Sequence, residues 1–292
     1  MKNKLNILMT IENYPIYGGS GIATRRLAAS LAKKGHNVAV VCPGENITHK
    51  IDIDTESDVI VYRLSSLLLP SFLYKGIKIS PFPMNYMKYI FKEFNPDVVH
   101  IIDHFFISSA AISLAKKNKI KIIGTNYFNP SNWLYNYMPK KNSFLSRTTE
   151  KLLWYYFLKV FNQIDVVTTP TSTAAKIIQD AGLKKPVRII SCGIDLEEYK
   201  NKLDDDILTK YKINRNKIIL LSASRLDKEK RVDLLLEALS IIKDKIDFQF
   251  IITSIGQDKE TLEKLVLKKK LSDRVIFTDF VSNSDLKKFY KI

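Results

Sequence analysis

Cysteine is scarce in this chain of 292 residues, and long uninterrupted apolar segments are missing. The two cysteines, Cys42 and Cys192, are too few for a disulfide framework, which favours a reducing compartment. The first apolar run ends at Glu12 and is short, so it predicts a buried strand rather than a signal peptide. The apolar stretch over residues 59–74 is interrupted by Arg63 and is too short to span a bilayer. We therefore expect a cytoplasmic protein.

The chain also lacks the ligand spacing of zinc sites and the motifs of nucleic-acid-binding domains. Acidic residues are outnumbered, since 46 Lys and Arg stand against 30 Asp and Glu, for a formal net charge of +16. Such an excess favours anionic partners, either phosphorylated ligands or anionic lipid surfaces. Because the lysines are scattered, a solvated lysine-rich surface is an equal alternative. No nucleic-acid partner is expected.

Short apolar strands alternate with amphipathic helices along most of the chain. A strand over residues 5–11, for example, precedes a helix over residues 21–34. This alternation predicts an α/β protein with parallel sheets covered by helices on both faces. The expected architecture is two doubly wound, Rossmann-like domains: an N-terminal domain over 1–190, a boundary segment over 191–216, and an incomplete C-terminal domain over 217–292. The last parallel strand is expected at an uncovered sheet edge.

A glycine-rich turn, Gly18-Gly19-Ser20-Gly21, joins the first strand to the first helix. In doubly wound sheets, ligands bind beyond the carboxyl ends of the strands, and glycine there lets a phosphate approach the amides of a helix N-terminus. The spacing is not G-x-G-x-x-G, because Thr24 stands where the third glycine would be. A ligand loop and an ordinary turn both stay open, while a dinucleotide-dependent oxidoreductase is disfavoured.

Two cations follow the first strand of the second domain, in the segment "SASRLDKEKRVD". Arg225 and Lys230 lie just past the strand, in a loop that opens a helix. A guanidinium can bind two oxygens of a diphosphate at once, and an ammonium adds a point charge. A solvated helix start, with Glu229 paired to a lysine, explains the same residues equally well.

Together these segments resemble the GT-B glycosyltransferases, and most closely the retaining family 4. "GHNVAV" resembles the family's "GHxVxV", Arg225-Leu226 with Lys230 resembles "R-L-x-x-x-K", and "GID" at Gly193 resembles "G-V-D". The resemblance implies a nucleotide-sugar substrate carrying UDP or GDP, retention of configuration, and no cofactor or essential metal. It implies that Gly18, Gly19, Arg225 and Lys230 bind the donor diphosphate, with Gly193 a further pocket candidate.

A subgroup that glycosylates lipid acceptors such as diacylglycerol is also suggested. "NPDVVHIIDHFFISSAA" and "GTNYFNPSNW" resemble two motifs of that subgroup. The resemblance implies that Asp103 and His104 line the pocket and that His104 and Asn126 face the acceptor, although His104 could equally be a core histidine. Tyr127, a further pocket candidate, replaces the subgroup's histidine and cannot titrate near neutral pH. His100, inside a strand, is expected in the core.

The family's "E-x7-E" element, expected after "KKFY", is absent from the sequence. Glu229 and Glu237 have that spacing but lie on another element. We therefore keep a second hypothesis, a non-catalytic fragment or one that works only with a complementing chain.

Two acceptors are compatible with the sequence, a membrane lipid and a small hydroxy acid. Aromatic and basic residues interleave over residues 127–161. They suit an anionic membrane surface, with the protein peripheral on its inner face, or a helix packing its rings into the core.

Overall fold

The chain folds into two units, each with its own hydrophobic core and a sheet that is mostly or wholly parallel. The computed structural model describes residues 4–12, 14, 19–45, 47, 51–69, 78–137, 144–200 and 206–292. The first unit is Met1–Ile194 and the second is Asp195–Ile292. Within the described ranges, every helix is too short or too polar to cross a membrane.

The first unit is organised around an eight-stranded sheet. Its strands, with those of a small hairpin, are β1 (Asn6–Thr10), β2 (Asn37–Pro43), β3 (Asp52–Glu56), β4 (Val59–Leu64), β5 (Leu67–Leu68), β6 (Lys78–Ile79), β7 (Val98–Ile101), β8 (Lys121–Thr125), β9 (Val166–Thr169) and β10 (Val187–Ile189). The order is β10-β9-β8-β7-β1-β2-β4-β3, with β3 antiparallel to β4 and all other pairs parallel. Strands β5 and β6 form the separate antiparallel hairpin.

Helices cover both faces of this sheet. They are α1 (Gly19–Lys33), α2 (Met84–Phe94), α3 (Phe106–Lys117), α4 (Pro130–Tyr137), α5 (Phe144–Phe161) and α6 (Ser172–Asp180). Strand β1 is buried on both faces, because Leu8 belongs to the cluster with Ile112 of α3 while Met9 belongs to the cluster with Ala28 of α1. Such double burial explains why the strand reads as a continuous apolar run.

The second unit has a three-stranded parallel sheet in the order β11-β12-β13. Its elements are a 3-10 helix (Leu196–Tyr199), α7 (Asp206–Lys210), β11 (Ile218–Ala223), a 3-10 turn (Lys228–Lys230), α8 (Val232–Ile242), β12 (Phe248–Thr253), α9 (Lys259–Lys269), β13 (Val275–Asp279) and α10 (Asn283–Phe289). Strand β12 is central, with Phe250 in one core cluster and Ile251 in the other.

The α/β fold with doubly wound parallel sheets is confirmed, and β13 lies at a sheet edge in the described part of the chain, as expected. The sequence does not predict β3, β5, β6, α4, α7 or the two short 3-10 segments. The charged strand β3 and the short helix α4 carry no clear periodicity, and α7 lies inside the expected boundary segment 191–216. Ile207 of α7 packs with Phe289 of α10, so that part of the segment belongs to the second core.

Candidate functional site

The glycine-rich segment predicted as a turn comes after β1, but Gly19, Ser20 and Gly21 form the first turn of α1, two residues before the predicted helix start. Gly18 lies outside the described residues, and Gly19 is the first residue of α1. A methyl group added at Gly19 would meet nothing within 4 Å. Free backbone amides at a helix start with open space beside them suit an approaching anion. Diphosphate binding by Gly18 and Gly19 stays a prediction.

A buried pair of carboxyl groups, Glu12 and Asp103, ties the ends of β1 and β7 to the start of α3. The Glu12 amide donates a short hydrogen bond to Asp103 Oδ2, and Asp103 Oδ1 accepts from the Phe105 amide at 3.1 Å and from Ser108 Oγ at 2.9 Å. Glu12 Oε1 accepts from the Ile107 amide at 2.9 Å. The two carboxyls thereby satisfy free amides at the helix start, where Phe105 supplies no side-chain cap.

Sequence reasoning named Asp103 but missed Glu12. Glu12 could have been found from its position, because it is an acidic residue that follows a buried strand at the carboxyl edge of a parallel sheet. Burial raises the pKa of Glu12 well above its ordinary value, and the negative charge of Asp103 raises it further. Burial also raises the pKa of Asp103, against the hydrogen bonds that lower it.

We expect Glu12→Gln to reduce the loss of stability as pH rises. A raised folded-state pKa means that stabilisation is complete below the unfolded pKa, about 4.3 for Glu, and is lost as the pH climbs through the folded pKa. The neutral amide escapes that loss, so the free energy of unfolding of the variant should rise relative to that of the parent chain as the pH increases above about 4.3. Urea unfolding across this pH series measures the difference, with exposed Glu260→Gln as control. A difference independent of pH would contradict the prediction.

His104 lies inside an aromatic cluster of the first unit rather than on an open surface. Its ring centroid is 4.6 Å from that of Phe105, 4.6 Å from that of Phe128 and 5.5 Å from those of Tyr156 and Phe157. Burial lowers the pKa of His104 to about 4, so the imidazole is neutral at pH 7. Its Nδ1 has no hydrogen-bond partner among the described residues. A neutral ring with one unpaired nitrogen can donate or accept a hydrogen bond, and the acceptor role stays a prediction.

The remaining first-unit candidates lie on the loops that follow β8 and β10. Asn126 is buried, donates its amide to Thr168 O at 2.8 Å, and accepts the Phe128 amide on Oδ1 at 2.8 Å, which shapes the loop as an Asx turn. The Cys192 thiol donates to Tyr127 Oη at 3.5 Å, and burial raises the pKa of Tyr127 above its ordinary value. Neighbouring Gly193 has open space where a side chain would stand.

The contact between the His104 and Phe128 rings joins the loop after β7 to the loop after β8. The structure therefore brings together the two segments in which sequence reasoning placed the acceptor site. His100 lies in the core as predicted: its Nε2 is 2.7 Å from Thr125 Oγ1, and burial lowers its pKa to about 4.

In the second unit, Arg225 and Lys230 follow β11 and precede α8, the loop position that the sequence predicts. Both cations are paired. Arg225 Nη1 lies 2.9 Å from Asp227 Oδ2, and Arg225 Nη2 lies 3.3 Å from Glu229 Oε1. The Lys230 ammonium lies 3.5 Å from the same Glu229 oxygen. One carboxylate therefore contacts both cations.

The loop that carries these charges is held by its backbone. Leu226 is fully buried, donates its amide to Ile255 O at 3.1 Å, and accepts the Asp258 amide at 2.9 Å. Gly256 approaches so closely that a Cβ there would stand 2.3 Å from the carbonyl carbon and oxygen of Leu226. The loops after β11 and β12 thus interlock at a contact that excludes any side chain.

Backbone strain marks the ends of the next two strands. Ser254, after β12, has φ +129°, and Asp279, the last residue of β13, has φ +59°. They are joined by a 2.8 Å hydrogen bond from the Ser254 amide to Asp279 O. Positive φ is costly for residues with a Cβ and free of that cost for glycine.

Ser254→Gly is expected to raise the free energy of unfolding by about 1 kcal/mol, since relief of strain outweighs the added freedom of the unfolded chain. Urea unfolding tests this. The control is Ser272→Gly, because Ser272 does not have a positive φ, and this change should destabilise the chain slightly. A loss of stability in Ser254→Gly would show that Ser254 is not strained.

Helix α5 presents two different faces. Phe157 and Phe161 are fully buried in the core of the first unit, whereas Phe144, Leu145, Leu152 and Tyr155 are exposed. Core packing and an exposed aromatic surface, which the sequence offered as alternatives, therefore occur on the same helix. Lys151 is exposed beside Leu152, so the outer face combines apolar and basic side chains.

The resemblance in the sequence is borne out by family comparison. The family model described as "Glycosyltransferase Family 4" matches residues 17–198. A second family model, described as "Glycosyl transferases group 1", matches residues 204–292. The chain belongs to glycosyltransferase family 4. Its GT-B fold agrees with HepE of Anabaena, solved with UDP-glucose, at a TM-score of 0.70 and 13% identity over 98% of this chain and 70% of that one.

Two curated relatives of this family 4 chain share one description. Alpha-monoglucosyldiacylglycerol synthase of Acholeplasma laidlawii is 26% identical, over 95% of this chain and 70% of the relative. The protein of the same name from Streptococcus pneumoniae is 23% identical, over 97% of this chain and 63% of the relative. The chain therefore spans about two thirds of the length of these relatives.

Proposed function

We propose that this chain transfers a hexose from a UDP- or GDP-sugar to a membrane-lipid acceptor, with retention of configuration and without an essential metal. The observation that carries the proposal is the pair Arg225 and Lys230 on one loop at the carboxyl end of a parallel strand, in a member of glycosyltransferase family 4. The names of both relatives support a diacylglycerol-type acceptor.

The proposed role of these two cations is to stabilise the leaving group, a nucleoside diphosphate. Transfer breaks the bond between the anomeric carbon of the sugar and an oxygen of the nucleoside diphosphate. It joins that carbon to the hydroxyl oxygen of the acceptor, whose proton passes to the departing diphosphate or to water. Negative charge grows on the diphosphate as its bond to the sugar breaks. Arg225 can bind two of its oxygens, and Lys230 adds a second positive charge nearby. Cations already in position where charge develops lower the barrier without reorganising during the reaction.

Transfer of labelled glucose from UDP-glucose to diacylglycerol in mixed micelles tests the proposal. Parallel reactions contain a GDP-sugar donor, malate as a small hydroxy acid, or EDTA, and the anomeric configuration of the product is read by NMR. We expect an α-linked glycolipid, formed equally well with EDTA. A product only with malate would replace the lipid acceptor. Activity of the isolated chain would refute the need for a complementing chain, and no transfer to any acceptor would contradict the proposal.

We further propose that the exposed face of α5 meets the inner face of an anionic membrane, which makes the protein peripheral. Leu152→Asp combined with Tyr155→Asp is expected to reduce co-sedimentation with phosphatidylglycerol-containing vesicles at least tenfold at low salt. The change removes two apolar side chains and adds two charges that an anionic surface repels. Ile241→Asp, at an exposed position of α8 in the second unit, is the control. An unbound parent chain would contradict the membrane proposal.

A further inference from the structure

The carboxylates beside Arg225 and Lys230 are more buried than the cations they contact. The side chains of Asp227 and Glu229 are 12% and 14% exposed, against 44% for Arg225 and 42% for Lys230. The carboxylates therefore lie on the protein side of the cluster, and the cations retain a solvent-facing surface. This layering is what a support for two cations requires.

We propose that Glu229 is a positioning residue that holds Arg225 and Lys230 together in the geometry that binds a diphosphate. The inference rests on the proposed function. Glu229 Oε1 is 3.3 Å from Arg225 Nη2 and 3.5 Å from Lys230 Nζ, so one oxygen links two cations that would otherwise repel each other. Asp227 contacts the other terminal nitrogen of Arg225 and limits rotation of the guanidinium.

Simple electrostatics opposes such a residue beside an anion site. A carboxylate near a diphosphate repels it, so removing the carboxylate should tighten binding if charge alone mattered. Positioning predicts the opposite sign, because two long side chains released from their support must be ordered again when the ligand binds. The sign of the change in affinity therefore separates the two explanations.

The backbone beneath Glu229 is suited to a fixed support. Leu226, three residues earlier, is buried and interlocked with Gly256, and Glu229 lies in the 3-10 turn that follows. Because Arg225 and Lys230 remain substantially exposed, their ion pairs with Glu229 contribute little to folding. Loss of Glu229 should therefore change ligand affinity while the melting temperature stays within about 3 °C of the parent chain.

The experiment is isothermal titration of the full chain with UDP for four variants. We expect Glu229→Ala to weaken affinity at least tenfold, and Glu229→Gln, whose amide oxygen can still accept from both cations, to stay within about threefold of the parent. Glu260→Ala, which removes an exposed carboxylate paired with Lys264, controls for charge and should leave affinity unchanged. Arg225→Ala is the reference for a lost cation.

The outcomes distinguish this proposal from the proposed function. If Glu229→Ala bound UDP as tightly as the parent chain or more tightly, while Arg225→Ala lost affinity for UDP, the donor site would be supported and the positioning role of Glu229 would be overturned. Equal weakening in Glu229→Ala and Glu229→Gln would also overturn it, because the amide oxygen that Gln retains would then fail to position the two cations. Full affinity in Arg225→Ala would overturn both proposals.

Discussion

Arg225→Glu is expected to abolish measurable UDP binding by this chain, a loss of at least a hundredfold in affinity. The substitution removes the guanidinium that can bind two diphosphate oxygens and places a carboxylate beside Asp227 and Glu229, which already contact this position. Charge-assisted hydrogen bonds are worth about 1.5–3 kcal/mol each, and repulsion of the ligand adds to their loss. Titration calorimetry with UDP measures the effect.

The matched control is Lys264→Glu, on the exposed surface of α9. It makes the same change in net charge within the same unit, at an exposed side chain that forms an ion pair with the exposed Glu260. Equal loss of affinity in both variants would show that overall charge, and not a site at Arg225, governs binding. Retained affinity in Arg225→Glu would remove Arg225 from the donor site.

Gly256→Ala is expected to destabilise the second unit by about 3 kcal/mol and to weaken UDP binding with it. The added methyl would stand 2.3 Å from the carbonyl carbon and oxygen of Leu226, and those atoms belong to backbone that cannot rotate aside. Overpacking of this kind typically costs 1–3 kcal/mol or more. Because Leu226 adjoins Arg225 and Asp227, a shift of its backbone displaces the cation as well. Urea unfolding and UDP titration on the same variant measure both effects.

Gly193→Ala is the control for Gly256→Ala, since a methyl group at Gly193 meets nothing within 4 Å. We expect it to leave the free energy of unfolding unchanged or slightly higher, as glycine is also the more flexible residue in the unfolded chain. If Gly256→Ala were as stable as Gly193→Ala, the interlock of the loops after β11 and β12 would be wrong.

Sequence periodicity could predict the fold because most strands of the two sheets are buried on at least one face. The apolar runs of β1 and β12 carry that signal, and the helices between strands carry the 3.6-residue repeat. The same pattern of strands and helices correctly predicted that Arg225 and Lys230 lie in the loop after β11. Strand β3 has no comparable apolar run, because most of its side chains are exposed to solvent. Its last residue, Glu56, forms an ion pair in which Oε1 lies 2.6 Å from Arg63 Nη2.

Local pattern could point to Glu12 and Asp103 one at a time, but it could not predict that they form a pair. These residues lie 91 positions apart and meet only because β1 and β7 are neighbours in the sheet, an order that periodicity does not encode. The positive φ of Ser254 was equally hidden, since serine is not a residue that favours this conformation. Both features depend on long-range topology at the carboxyl edges of the sheets, where the candidate sites lie.

A crystal structure of this chain grown with UDP would test the central claim most directly. The diphosphate is predicted to lie within hydrogen-bond distance of the Arg225 guanidinium and the Lys230 ammonium, with Glu229 still in contact with both cations from the protein side. Ordered UDP bound elsewhere, with its diphosphate remote from the loop after β11, would contradict the account.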